Sequence, residues 1–488
     1  MEKGVLVQYG AALSVSLITV TMGVTSGWAT PIATKLKANE TSIDINEDQL
    51  GWIFGMPPIG FTVGSLVTGF LPDKIGRKKT LLSTGAPFLC GMLLAITAKQ
   101  GWMLCIMTLL WGFGTGMAST VLMTYIAEIA DKNLRATLSV ITRVGFNLGT
   151  FLMMLCGPFI SYEALNYTIF ALPIFIFFGC LWIPESPYYF LKEGHVQRAR
   201  RELIKLRNNT EVVEAELETI KAGVNKDMQR SSTPKELFTG PQYRKAIIIA
   251  AGLKVAQILT GALAIQQYLG TIIGESKSDI KPSTAMVIFG AVKFVVSITS
   301  TALADRVGRR PLLVYSFFGN GISLASVGTY FFLQNVVHVN DNILKIFGFI
   351  PLTGIVVSNI VCTLGFNSII GIIQAEIFPL NVRNVAMVAL NIFGGFLGFS
   401  VSKGFQLVKN GFGISSAFWT FTVISILSAV FSYFFVPETK GKSLEEIQCI
   451  LAGKVSSEIS EVNVDLVQTK DVVMKELANG DEFDKPKS

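Results

Sequence analysis

The sequence predicts an all-α membrane protein of about twelve transmembrane helices in two six-helix bundles joined by a helical loop. Three observations carry this: an apolar composition, apolar runs of bilayer length, and a set of polar motifs that occurs twice. Of 488 residues, 50% are hydrophobic and 15% charged, with a mean hydropathy of +0.52, a balance rare in water-soluble chains. The net charge of +7 sits in short loops between apolar runs, where cytoplasmic membrane loops carry Lys and Arg, so it marks orientation and implies no nucleic-acid partner. Cys90, Cys105, Cys156, Cys180, Cys362 and Cys449 are scattered and only two His accompany them. That pattern implies no disulfide framework, no metal site and no cofactor.

From Met1-Glu2-Lys3 the chain enters a long apolar stretch with Trp28 and Pro31 and no small-residue cleavage site, read as a retained first helix. Apolar runs near the ~20 residues that cross a bilayer fall at roughly 9–33, 50–71, 80–98, 103–128, 137–160, 166–183, 246–273, 284–304, 311–333, 346–374, 385–408 and 414–436. Residues 1–183 form an N-terminal bundle and 246–436 a C-terminal one. Between them 184–245 reads as a cytoplasmic linker of short amphipathic helices, with Leu203 and Leu206, and Leu217 and Ile220, at helical spacing among charges. The charged tail 437–488 is expected to be cytoplasmic and mostly disordered. Placing both termini in the cytoplasm puts Lys74, Arg77, Lys132, Arg135, Arg306, Arg309 and Arg383 inside, as the positive-inside rule requires. It also puts the sequon at Asn39 outside as a glycosylation candidate, and Asn166 at the edge of another outer loop.

An internal repeat organises the charges. Asp73-Lys74-Ile75-Gly76-Arg77-Lys78 recurs as Asp305-Arg306-Val307-Gly308-Arg309-Arg310, Glu128 precedes Arg135 as Glu376 precedes Arg383, and Pro184-Glu185 recurs as Pro437-Glu438. The shared order describes a duplicated six-helix unit. An acid beside Arg at a membrane boundary makes a charge-assisted bond that can form in one conformation and break in another. Each half therefore carries a candidate cytoplasmic latch: Asp73, Arg77, Glu128, Arg135 and Glu185 in the first, Asp305, Arg309, Glu376, Arg383 and Glu438 in the second.

At these residues the chain resembles the sugar-porter branch of the major facilitator superfamily, and within it the facilitated trehalose transporter group and its glucose-transporter relatives. Pro184-Glu185-Ser186-Pro187 with Tyr189 and Leu191, and Pro437-Glu438-Thr439-Lys440-Gly441-Lys442-Ser443-Leu444-Glu445, are its most specific marks. The resemblance implies sugar transport by two bundles rocking about a central site. It also shows departures: Arg143 stands where the family's fifth span has Gln, Lys293 where the eighth has Asn, Gly371 where the tenth has Trp, and Gly394-Gly395 replace a polar-aromatic pair. Of the seventh-span amides Gln257 remains, within Gln257-Ile258-Leu259-Thr260-Gly261.

Polar stripes at helical spacing give a candidate solute site: Arg143 and Asn147 in the fifth span, Gln257 with Lys254, Thr260 and Gln267 in the seventh, Lys293 in the eighth, Thr25 in the first. Arg143 and Lys293 suggest an electropositive centre, because a cation at the bilayer middle costs about 2.5–3.5 kcal/mol and must face water, protein or solute. From Gly4 to Thr34 the first span has no acid, which favours facilitated diffusion over proton coupling. The expectation is a plasma-membrane carrier of a small solute, a trehalose- or hexose-class sugar, embedded in the lipid bilayer. An organic-anion carrier on the same scaffold and a non-transporting nutrient sensor stand as alternatives. No clustered nucleophile, base and acid points to an enzyme.

Overall fold

Backbone amides and carbonyls that enter lipid must find partners inside the chain, so apolar segments of this length become helices. The computed structural model describes residues 3–38, 40–41, 43–131, 134–207, 210–229, 237, 240, 243–442, 446–447 and 450–451. Among them, 12 helices are long and apolar enough to cross a membrane. These are spans 1 (Gly4–Lys37), 2 (Glu47–Thr68), 3 (Arg77–Thr97), 4 (Gly101–Ile129), 5 (Thr137–Cys156) and 6 (Tyr162–Leu181), followed by 7 (Arg244–Glu275), 8 (Pro282–Ser300), 9 (Arg309–Asn335), 10 (Asp341–Gln374), 11 (Val385–Phe412) and 12 (Ile414–Phe435). Several run beyond their apolar stretches: span 1 continues to Lys37 and span 10 begins at Asp341.

The spans interlock through small residues. A Cβ on Gly60 would lie 2.1 Å from the Leu109 carbonyl oxygen, and one on Gly112 would lie 2.2 Å from that of Pro57. Spans 2 and 4 therefore touch backbone to backbone, which only glycine permits, and lipid offers no hydrophobic drive to replace that contact.

Two spans of the C-terminal half are broken. Span 7 divides into Arg244–Leu259 and Ala262–Glu275 around Gly261, at φ +80°, and span 10 breaks between Leu364 and Phe366 at Gly365. A side chain at Gly261 would be strained by its φ and would also meet Phe421 within 2.5 Å. Spans 1, 2 and 4 of the N-terminal half are each a single helix.

The linker forms helices Pro187–Lys192, Val196–Arg207 and Thr210–Gln229, and Leu203, Leu206, Leu217 and Ile220 are buried. Arg207 bonds Glu216 and the Ile129 carbonyl, and Lys192 reaches Asp73, so the linker docks on the end of the bundle that carries the Gly76 turn. That end is called the linker end below, and the opposite one the far end. One apolar cluster runs through both halves and includes Trp28, Phe54, Tyr268 and Phe405; a second, with Phe317, Phe366, Ile373 and Phe378, stays within the C-terminal half.

Of the sequence expectations, the Asn39 sequon and the tail from 452 onward lie outside the described residues, as does the side chain of Asp305. Asn166 is fully buried: its amide donates toward the Ala95 carbonyl and its oxygen accepts from Trp28, so it is a packing residue and no outer-loop glycan site.

Candidate functional site

Between the halves lies a cavity of about 430 Å³, within the range of small-molecule sites. Its two walls differ. Trp28, Phe54, Pro57, Pro58, Phe61, Trp111 and Phe146 make the N-terminal wall largely aromatic and apolar, with Thr25, Thr108 and Thr115 between them. Lys254, Gln257, Gln266, Gln267, Lys293, Ser358, Asn359, Asn367 and Asn391 make the C-terminal wall polar. Trp28 is held by its Nε1, which donates to Asn166 Oδ1 at 3.1 Å, and meets Trp111 edge-on with ring centroids 5.4 Å apart. Flat apolar plates on one side and amides on the other suit a ring that has carbon faces and a hydroxyl rim.

The polar wall is already connected. Gln257 Nε2 donates to Asn367 Oδ1 at 3.3 Å, Lys293 Nζ donates to Gln266 Oε1 at 2.5 Å, and Gln267 Nε2 donates to the Phe54 carbonyl at 3.1 Å while its own Oε1 has no partner among the described residues. The breaks in spans 7 and 10 place these groups. In a continuous helix, Gln257 and Gln266 would point about 180° apart at 100° per residue, and the break at Gly261 turns both onto the cavity.

Toward the far end the halves are bolted together. Thr30 donates to the Gln266 carbonyl at 2.8 Å, Phe54 meets Tyr268 at 5.2 Å, and Trp52 meets Phe399 at 5.7 Å. Above them Lys403 pairs with Asp48 and sits 4.8 Å over the Trp52 ring, Gln406 donates to Glu47 at 3.1 Å, and Glu275, itself paired with Lys409 inside the C-terminal half, reaches Lys37 across the gap at 4.0 Å.

At the linker end the repeated motifs form twin clusters, each inside its own half. Arg77 pairs with Glu128 at 2.9 Å and with Asp73 at 3.2 Å, and Glu185 accepts from the backbone amides of Arg77 and Lys78 at 2.9 and 3.0 Å. In the second half, Arg309 pairs with Glu376 at 3.5 Å and Glu438 accepts from the amides of Arg309 and Arg310, both at 3.0 Å. Each Pro-Glu carboxylate thus caps the start of the helix after a Gly turn, where unpaired amides and the helix dipole favour an anion. Gly76 and Gly308 hold φ of 94° and 102°, and a Cβ on Gly76 would lie 2.5 Å from Glu185 Oε2. Arg135 and Arg383 donate instead to the carbonyls of Ala127 and Phe378.

Comparison with known proteins fits this geometry. A family model described as "Sugar (and other) transporter" matches residues 11–451. This chain belongs to that sugar transporter family. The transporter is 32% identical over 440 residues to a facilitated trehalose transporter Tret1 of Bombyx mori, covering 90% of this chain and 85% of the relative. It is 31% identical to the Aedes aegypti Tret1, where the match covers 93% of this chain and spans 56% of that protein's length. The fold is that of the inward-open xylose transporter XylE from E. coli, with a TM-score of 0.74 at 20% identity over 92% of this chain and 99% of the other. The transporter is therefore a multi-pass membrane protein of the major facilitator architecture.

Of the candidate solute residues, Thr25, Gln257, Gln267 and Lys293 line the cavity. Arg143, Asn147 and Thr260 are outside its lining: Asn147 donates to the Arg143 carbonyl at 3.0 Å, and Thr260 is fully buried and bonds the Gln257 carbonyl. The second cation of the cavity is Lys254 rather than Arg143. Sequence reasoning missed Gln266, hidden on the wrong helical face until the break is known, and Trp111, which nothing marks within an apolar run. Asn359, Asn367 and Asn391 were findable, as amides inside apolar spans.

Proposed function

We propose that this transporter moves a sugar-class solute, of trehalose or hexose type, across the plasma membrane by facilitated diffusion, with both termini and the linker end in the cytoplasm. The observation that carries the reading is the solute-sized cavity shared by two halves that are joined on its far side by contacts able to part. In this reading the structure is the state closed to the outside. The solute enters from either side as the halves rock, aromatic plates take its carbon face, and the amides of Gln257, Asn359 and Asn367 take its hydroxyls. The linker-end clusters keep each six-helix unit rigid while it rocks. Among the described residues the lining holds no Asp or Glu, the usual proton carriers of coupled porters, which supports a carrier driven by its solute gradient alone. The named relatives are facilitated trehalose transporters, which supports the solute class.

Labelled trehalose and glucose uptake into proteoliposomes holding the full chain tests this. Saturable uptake, accelerated by unlabelled sugar on the opposite side and indifferent to an imposed pH gradient, is expected. Uptake that follows the pH gradient removes facilitated diffusion, and folded protein that moves no sugar removes the transport reading in favour of a sensor.

A further inference from the structure

The cavity holds two lysines and, among its described lining residues, no carboxylate. Lys293 is anchored, its ammonium donating to Gln266 Oε1 at 2.5 Å. Lys254 is different: its ammonium lies beside Gly394, where a Cβ would sit 3.4 Å from Nζ, and no hydrogen bond or ion pair joins it to another described residue. Gly394 has room for that chain because it lacks one of its own; a Cβ there would lie 2.4 Å from Lys254 Cε. An ammonium inside the membrane, facing a cavity and without an acceptor among the described residues, is poorly compensated by a neutral ring, whose hydroxyls offer only dipoles. A carboxylate compensates it with a charge-assisted bond in a low-dielectric site, where such bonds are strongest.

We infer that the preferred solute of this cavity is an acidic sugar, a hexose-sized ring or chain bearing one carboxylate, seated with its carbon face on the half-buried Phe61 and Phe146 rings and its carboxylate on Lys254. The inference rests on the proposed transport role of the same cavity and narrows its substrate class. Lys293, occupied by Gln266, adds a second positive charge to the field without needing to touch the solute.

Initial uptake rates of labelled glucuronate, glucose and trehalose into proteoliposomes with the full chain, membrane potential clamped, test it near neutral pH. Glucuronate is expected to enter about tenfold faster than glucose at equal low concentration, since one charge-assisted bond exceeds a neutral one by that order. An inside-positive potential should speed glucuronate entry, because one negative charge crosses per turnover. Lys254→Gln should lower the glucuronate-to-glucose ratio about tenfold while Lys254→Arg keeps it. If glucose and trehalose enter and glucuronate does not, the acidic-sugar assignment is overturned and the transport reading stands. If none enters although the protein is monodisperse and helical, the transport reading falls and the inference with it. A ratio unchanged in Lys254→Gln overturns the role of Lys254.

Discussion

Arg77 and Glu128 at the linker end leave 9% and 11% of their side chains exposed and pair within one half; at the far end Lys403 leaves 12% exposed, but its partner Asp48, in the other half, leaves 66%. The first arrangement is costly to break: removing one partner of a buried pair strands a charge, at about 3–5 kcal/mol. The second is cheaper to part because its carboxylate already stands in water, which screens the pair toward the ~0.2–1 kcal/mol of surface pairs. A carrier that must part its halves on every cycle needs this division, with strong bonds inside the moving bodies and weak ones between them. The duplicated motifs bond inside each half, while the charges that bond across the halves at the other end are unrepeated.

The largest expected effect falls on the buried pair inside one half. Arg77→Ala should lose about 3–5 kcal/mol of stability, seen as a sharp fall in Tm in detergent and poor surface expression. Wild-type melting would erase the contrast between the two ends. Next come the turns: Gly76→Ala forces an L-residue into a left-handed region at about 1–3 kcal/mol and pushes Cβ to within 2.5 Å of Glu185, whereas at Gly308 the nearest Glu438 oxygen is 3.1 Å away. Gly76→Ala should melt lower than Gly308→Ala, and equal melting would show that φ alone decides.

At the far end, Lys37→Ala with Lys403→Ala, which removes one charge from each ion pair that crosses between the halves, should raise the population open at that end about two- to thirtyfold, the sum of two partly exposed pairs. Maleimide labelling from outside of a cysteine at Ala262, with the native cysteines replaced, reads that shift, and high salt should mimic it in the wild type. The smallest effect is a pH dependence. Burial pushes the Glu438 carboxyl up, but backbone amides of Lys440, Arg309, Arg310 and Thr439 outweigh it and hold the group below its ordinary value of 4.5. A lowered folded-state value stabilises above the unfolded value and is lost as pH falls through the folded one. The Tm gap between wild type and Glu438→Gln should stay constant from neutral pH to near 4.5 and close only below it.

The architecture was legible because the bilayer imposes its own length on each apolar run and because Asp73-to-Arg77 and Asp305-to-Arg309 announce their duplication. The members of each cluster were legible for the same reason, but not their geometry: nothing in Pro184-Glu185 says that the carboxylate caps backbone amides rather than meeting Arg135. The far-end lattice went unseen because Lys37, Asp48, Glu275 and Lys403 form no motif and meet only when two halves distant in sequence close together. Stripe reading found Gln257 and Lys254, which lie on one unbroken helix, and failed at Gln266, where periodicity resets.

That reset has a mechanical consequence. Because span 7 is jointed at Gly261, its linker-end segment brings Lys254 and Gln257 to the cavity while its far-end segment ties Gln266 and Gln267 to Thr30 and Phe54 of the opposite half. Chemistry and closure thus meet just past the joint, where Gln266 lines the cavity with its side chain and takes a bond from the opposite half on its carbonyl. A substitution that retunes what is carried at Lys254 leaves untouched the bolts that time its release.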